Sequence, residues 1–146
     1  MNGPDREPGC IFCSIIAGES PATVVFEDER TLSFMDVNPA TEGHALVVPR
    51  RHGLDLFEVP AEDAAAMWGT ARLVAAAAKE AYRAPAVNLL MANGREAFQT
   101  VFHAHVHVVP RYRFDELHLP WIPRAGDRGR IAANGERLRA AMTAPG

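Results

Sequence analysis

Three histidines alternate with small apolar residues in the run His103-Ala104-His105-Val106-His107-Val108-Val109. Side chains of a β-strand point to opposite faces with a period of two. Read as a strand, Val101, His103, His105, His107 and Val109 share one face. Phe102, Ala104, Val106 and Val108 form a wholly apolar back, fit for a core. Imidazole is the side chain best able to accept a proton, donate one or attack near neutral pH. One or two histidines could be satisfied by backbone inside a core, but three in strict alternation read as a working site. The spacing disfavours one ion held by all three. Residues two apart on a strand face lie about 6.7 Å apart and the outer pair about 13 Å, against zinc–nitrogen bonds of about 2.0 Å. The row therefore divides its labour.

A second group with chemistry is Cys10-Ile11-Phe12-Cys13, which holds both cysteines of the chain. In a cytosolic protein such a pair is a metal or redox motif more often than a disulfide. A thioredoxin-like pair should follow a strand and open a long helix. This one follows a polar leader and precedes only a short helical stretch, so zinc is favoured over redox chemistry. Two cysteines need two further ligands, and the chain has histidines to supply them.

The elements that must position these groups are legible in outline. Residues 13–17 read as a short helix stopped by Gly18. Residues 23–26 and Thr31–Met35 read as a hairpin, and residues 36–43 as a loop rich in turn formers. Residues 44–49 are apolar enough for a central strand. Residues 61–83 form the one long helix, with Glu62 and Asp63 in the first turn, where the helix dipole favours acids. Its stripe at spacings of three and four includes Met67, Trp68, Ala71 and Tyr82, read as core against a sheet. Residues 86–91 make a fourth strand, residues 93–97 a turn, and residues 99–109 the histidine strand. Residues 131–142 form a weakly periodic helix, and Trp121 closes the site or makes an interface. The order predicts an α+β fold, an antiparallel sheet of about five strands packed against one long helix.

The chain has 146 residues, 48% hydrophobic and 23% charged, the composition of one globular domain. That domain is read as 1–146, with its motif core over 10–113 and a tail over 114–146. A net charge of −3 carries no basic signal for nucleic acid. No apolar run approaches the length of a membrane span. The polar start has no apolar signal region, and a cytoplasmic protein is expected. No Walker-type glycine-rich loop is present, which sets aside the P-loop kinases and ATPases.

The run His103 to Val109 resembles the hallmark of the histidine triad (HIT) superfamily, and within it the HINT-like branch. Cys10 to Cys13, Ile15-Ile16-Ala17-Gly18-Glu19 and Pro21 resemble the family's opening. Phe34-Met35-Asp36 with Pro39, then Gly43-His44-Ala45-Leu46-Val47-Val48-Pro49 and His52, resemble its middle. Gln99-Thr100-Val101-Phe102 leads into the triad as the family does. The resemblance implies a HIT-like fold and a nucleotide hydrolase or transferase acting at the α-phosphate. Such a protein releases a nucleoside monophosphate from phosphoramidates or related adducts through a covalent nucleotidyl-histidine. It implies His105 as nucleophile and His107 as the residue that contacts the phosphate and assists the leaving group. His103 and His44 are supporting histidines, and Thr100 lies near the leaving group. Asp36 binds the ribose hydroxyls. Phe12, Ile15, Phe34, Val37 and Leu46 wall the base, and Asn93, Gln99 and Val101 complete the nucleotide contacts. Relatives with the opening cysteine pair hold a structural zinc, and the matching residues are Cys10, Cys13, His52 and His103. A purine nucleotide or nucleotide conjugate as ligand, a homodimer through the long helix and a sheet edge, and no magnesium requirement follow from the same resemblance. The family usually has glycine before Gln99. Phe98 stands there instead, and either displaces a backbone contact or adds a wall to the pocket.

The chemistry suits these residues. Neutral imidazole attacks phosphorus, and a covalent intermediate splits one hard displacement into two easier ones. A cationic His103, or zinc on it, would help keep His105 neutral. His107 or Thr100 passes a proton to the leaving group. Competing readings are a dinucleoside polyphosphate hydrolase, a catalytically weak nucleotide-binding regulatory module, and a zinc-dependent interaction protein.

Overall fold

Every residue of the stretch Ala45–Pro49 is buried. A strand covered on both faces must lie inside its sheet with a layer on each side. In the computed structural model, which describes residues 5–143, it lies at the centre. The first four residues of the polar leader and the last three of the tail fall outside the described residues. The elements run α1 (Ile11–Ile16), β1 (Val24–Glu27), β2 (Thr31–Met35), β3 (Ala45–Pro49), α2 (Ala61–Tyr82), β4 (Ala86–Leu90), β5 (Val106–Arg111) and α3 (Arg128–Thr143). The five strands form one antiparallel sheet in the order β1-β2-β3-β5-β4. The α+β reading with one long helix on the sheet holds. The described residues group into two units, one ending at Glu116 and one beginning at Leu117.

The two faces of the sheet are covered differently. On one, Ala45, Val47, Val106 and Val108 pack with Met67 and Ala71 of α2. On the other, Leu32, Phe34, Leu46 and Val48 pack with Phe12 of the six-residue helix α1. The alternation of a strand puts Leu46 and its cross-strand partner His107 on this second face. The functional side chains therefore lie opposite the long helix, under the cysteine-bearing opening of the chain.

Helix α2 is anchored at its start. Asp63, buried in the first turn, accepts from Arg30 Nη1 at 2.8 Å and Arg51 Nε at 2.9 Å. About two turns on, the hydroxyls of Thr31 and Thr70 meet at 2.8 Å. Arg83 ends the helix in the left-handed region at φ 53° and is its cap rather than its last residue. Trp68 and Tyr82, expected in the core, are 37% and 36% exposed. They sit at the edge of the stripe, and the Tyr82 ring fills the space where a side chain at Gly43 would stand.

The histidine strand begins later than its alternation suggests. β5 starts at Val106, and residues 99–105 form an irregular run. Their backbone donors go elsewhere: Gln99 N–H to the Gly94 carbonyl at 3.1 Å, and Ala104 N–H to the Gly53 carbonyl at 2.8 Å. Phe102, expected in the apolar back, is 36% exposed under the Arg95 guanidinium. In the second unit, α3 begins three residues before the expected start, because the Asp127 carboxylate accepts from Arg130 N–H at 2.9 Å. None of its residues is buried, and Trp121 is 63% exposed. No helix among the described residues is long and apolar enough to cross a membrane.

The connection from β4 to the histidines contains a 3₁₀ turn, Arg95–Ala97, closed by Phe98 at φ 70° with its ring 85% exposed. A left-handed conformation costs a non-glycine residue about 1 kcal/mol, and the exposed ring gains little burial in return. Phe98→Gly is therefore expected to stabilise the protein by about 1 kcal/mol. Urea denaturation tests this, and a lowered midpoint would contradict the strain.

Candidate active site and metal centre

Four donor atoms converge where α1, the end of β3 and the irregular run meet. Cys10, at the N-cap of α1, accepts from Cys13 N–H, which holds the two thiols on one turn. Cys10 Sγ and Cys13 Sγ each lie 3.5 Å from His103 Nδ1. Cys13 Sγ is 3.4 Å from His52 Nδ1, and the two imidazole nitrogens are 3.2 Å apart. Tetrahedral zinc with ordinary bond lengths requires N···N edges of about 3.3 Å and N···S edges of about 3.6 Å. The donor set fits such an ion in chemistry and size. The tautomer agrees: His103 Nε2–H donates to the Pro49 carbonyl at 2.9 Å, which leaves the Nδ1 lone pair facing the thiols. Burial pushes His103 down to about 4 and pushes the Cys13 thiol up. Burial thus favours the neutral ring of His103, the form whose Nδ1 can ligate a metal. The backbone of His52 is fixed as well, donating to the Asp5 carbonyl at 2.8 Å.

The histidine row is wired through backbone carbonyls and amides. His105 Nδ1–H donates to the carbonyl of His103 at 2.7 Å, so His105 Nε2 carries a lone pair. His44 Nδ1 accepts from Ala40 N–H at 2.9 Å, so the proton of His44 sits on Nε2. That proton is donated to His107 Nδ1 at 2.9 Å. The remaining proton of His107 is therefore on Nε2. Asp36 Oδ2 lies 3.5 Å from His44 Nε2. The rings of His105 and His107 are 4.9 Å apart, centre to centre. A lone pair and an N–H thus stand side by side on neighbouring rings, one suited to attack and one to donate.

Both rings border a cleft of about 560 Å³, a volume suited to a small ligand. Phe12, Ile15, Phe34 and Leu46 form its apolar walls, and the Phe12 ring stands edge-on to His105 at 5.2 Å. Asp36, Val37, Thr100 and Val101 complete the agreement with the residues named from sequence. His44 stands behind His107.

Asn93 and Gln99 do not line the cleft. The Asn93 carbonyl oxygen accepts from Leu56 N–H at 2.9 Å. Gln99 is buried, accepting from Gly94 N–H at 2.8 Å and donating to the Leu54 and Val101 carbonyls at 2.6 and 3.0 Å. These two amides brace the loop that carries Thr100. Phe98 adds no wall, since its ring points to solvent. Sequence reasoning missed Ile11 and Ser20 in the lining, and the backbone groups of Ala40 and Pro49 that set the tautomers. The turn signal Asn38-Pro39 could have drawn attention to Ala40. A carbonyl acceptor has no sequence signal.

A row of histidines along an apolar cleft of an antiparallel sheet is the arrangement that defines histidine triad proteins. The HIT domain family profile matches residues 17–114. The chain belongs to the HIT family. It is 42% identical over 136 residues to the HIT-like protein Rv1262c of Mycobacterium tuberculosis, covering 91% of this chain and 92% of that one. It is 41% identical over 108 residues to the adenylylsulfatase HINT3 of Arabidopsis thaliana, covering 74% of this chain and 55% of that one. Among solved structures it is similar to a zinc-bound histidine triad family protein from Mycobacterium smegmatis. That likeness has a TM-score of 0.72 and 40% identity, and covers 91% of this chain and 97% of the other.

Burial, together with the neighbouring His105 and His44, pushes His107 down to about 4. Its unfolded value is about 6.5. Between these two pH values the unfolded chain binds a proton that the folded chain does not. The His107 contribution to stability is therefore complete above pH ~6.5, declines as pH falls, and is exhausted below about 4. Urea titrations at several pH values, wild type beside His107→Asn, test the sign. The variant is expected to lose less stability across this window, and an equal loss would contradict the assignment.

Proposed function

We propose that this protein is a nucleotidyl hydrolase acting at the α-phosphate of nucleotide phosphoramidates or related nucleotidyl adducts. The observation that carries the reading is the pair of complementary tautomers, a lone pair at His105 Nε2 beside a proton at His107 Nε2. The apolar walls take a purine base and Asp36 takes the ribose hydroxyls. The phosphate then lies at His105, His107 and the Thr100 hydroxyl. His105 Nε2 attacks phosphorus and the bond to the leaving group breaks. The bound phosphate favours a cationic His107, and the departing nitrogen receives its Nε2 proton, which leaves the ring neutral. Water then attacks the phosphorus–histidine bond and gives a proton back to His107, and the nucleoside monophosphate is released with His105 restored. Burial lowers the pKa of His105, which favours its neutral, nucleophilic form. The hydrolase name of the Arabidopsis relative supports the reaction class.

In this reading Cys10, Cys13, His52 and His103 hold zinc, a reading supported by their spacing and by the zinc-bound relative. The ion would supply a structural clamp on the opening segment. The carbonyl of His103 fixes the tautomer of His105, so clamping His103 positions the nucleophile. The route uses no magnesium. A homodimer is supported by β4, a regular edge strand beside the exposed Leu90, whereas the β1 edge is broken by an irregularity.

Intact-protein mass spectrometry during turnover of an adenosine phosphoramidate tests the nucleophile. A transient adenylyl adduct on wild type and none on His105→Ala is expected, with kcat/KM lowered by about 10⁴-fold. Absence of adduct and of AMP, with AMP binding unchanged in both proteins, would leave the regulatory-module reading instead. Elemental analysis of the purified protein tests the metal. Stoichiometric zinc is expected in wild type and little in Cys10→Ser, with a melting temperature lower by about 10 °C and AMP affinity nearly unchanged. Full zinc content in that variant would refute the ligand set.

A further inference from the structure

The cleft is not alone on its side of the sheet. A second depression of about 660 Å³ borders it. Three residues, Ile11, Thr100 and Val101, line both. The two hollows are therefore contiguous across the Thr100–Val101 segment, beside which the reacting phosphate sits in the reading above. Nucleophilic attack from His105 drives the leaving group away from the histidine row. The neighbouring hollow is placed to receive it.

Its chemistry differs from that of the nucleotide cleft. The apolar surface comes from Ile11, Leu54 and Phe102, which are 49%, 44% and 36% exposed. Its formal charges are two carboxylates, Glu7 and Glu58, while Cys10 and His52 of the thiol–imidazole cluster form part of its wall. The side chain of neither makes a hydrogen bond or ion pair among the described residues. No lysine or arginine lines the hollow. Arg95 lies over the ring of Phe102, with its guanidinium carbon 5.6 Å from the ring centre, and so holds that ring in place. An exposed apolar surface beside two unpaired carboxylates attracts a body that is both apolar and cationic. It disfavours sulfate, phosphate or any other anionic leaving group.

We infer that this second hollow, formed by Glu7, Glu58, Leu54 and Phe102, is the leaving-group subsite and selects nucleotide phosphoramidates of apolar amines that carry a further positive charge. The inference rests on the nucleotidyl-transfer reading and adds to it the substrate class. In the step it governs, the phosphorus–nitrogen bond breaks and the phosphorus–His105 bond forms. The amine leaves with the proton given by His107, its ammonium end lying toward Glu7 and Glu58.

Three similarly shaped substrates test this on the full, zinc-replete chain. They are the adenosine 5′-phosphoramidates of 4-(aminomethyl)benzylamine, 4-methylbenzylamine and 4-(aminomethyl)benzoate, linked through one benzylic nitrogen. They differ chiefly in the charge at the far end: positive, neutral and negative. The expected order of kcat/KM is cationic, neutral, anionic, with about tenfold between the extremes. In the double variant Glu7→Gln, Glu58→Gln the ratio between cationic and anionic substrates is expected to fall to within about twofold. The unsubstituted adenosine phosphoramidate reports whether that variant remains folded and active. Equal rates for the three substrates in wild type, or a preference that survives both substitutions, would overturn the subsite while leaving nucleotidyl transfer intact. Failure of every substrate, with no adduct on His105, would instead overturn the nucleotidyl-transfer reading itself.

Discussion

The imidazole of His103 is held from both sides, and the site depends on that. One ring nitrogen donates to the Pro49 carbonyl, and the other faces two thiols and His52. Its backbone carbonyl takes the Nδ1 proton of His105. A buried imidazole with one proton has one way to satisfy these neighbours together. Rotating the ring would leave a buried carbonyl without its donor, at a cost of about 1–3 kcal/mol, and would turn an N–H toward the metal ligands. The central strand, the cysteine-bearing opening and His105 thus share one residue, and the protonation state of each ring follows from its partners.

The sheet divides stability from chemistry. On one face α2 packs over valines and alanines and is tied down by Asp63 and the Thr31–Thr70 contact. On the other face a helix of six residues supplies Phe12 to the core and both thiols to the metal set. So short a helix is not stable alone. Its position comes from Phe12 packing against the sheet and from the convergence of its cysteines with His52 and His103. The apolar wall of the cleft and the thiol–imidazole cluster are consequently one piece of structure.

Much of this was legible in the amino-acid order. The alternation of His103, His105 and His107 gave their common direction, and the apolar run from Ala45 to Val48 gave the central strand. The start of β5 was not legible, because period-two alternation reports side-chain direction and is silent on whether backbone donors pair with a neighbouring strand. Asn93 and Gln99 were read as ligand contacts, yet a polar side chain in a loop satisfies backbone as readily as ligand, and here both do so. Trp68 and Tyr82 follow the helical stripe but stand at its rim, where width rather than period decides burial. The left-handed turn at Phe98 has no signal in residue type, since phenylalanine seldom adopts it. The tautomers of His44 and His103 depend on the main chain of Ala40 and Pro49, whose side chains carry no information about it.

The cluster of Cys10, Cys13, His52 and His103 also spans most of the chain. Cys10 and His103 are separated by 93 positions, and the central pair β3 and β5 is joined through the whole of α2 and β4. Such long-range closure is slow and comes after local structure. During synthesis the two thiols emerge long before the last imidazole they face. Until that imidazole arrives, the opening segment lacks the partner its thiols face. Convergence of the four donors and completion of the sheet are thus one event.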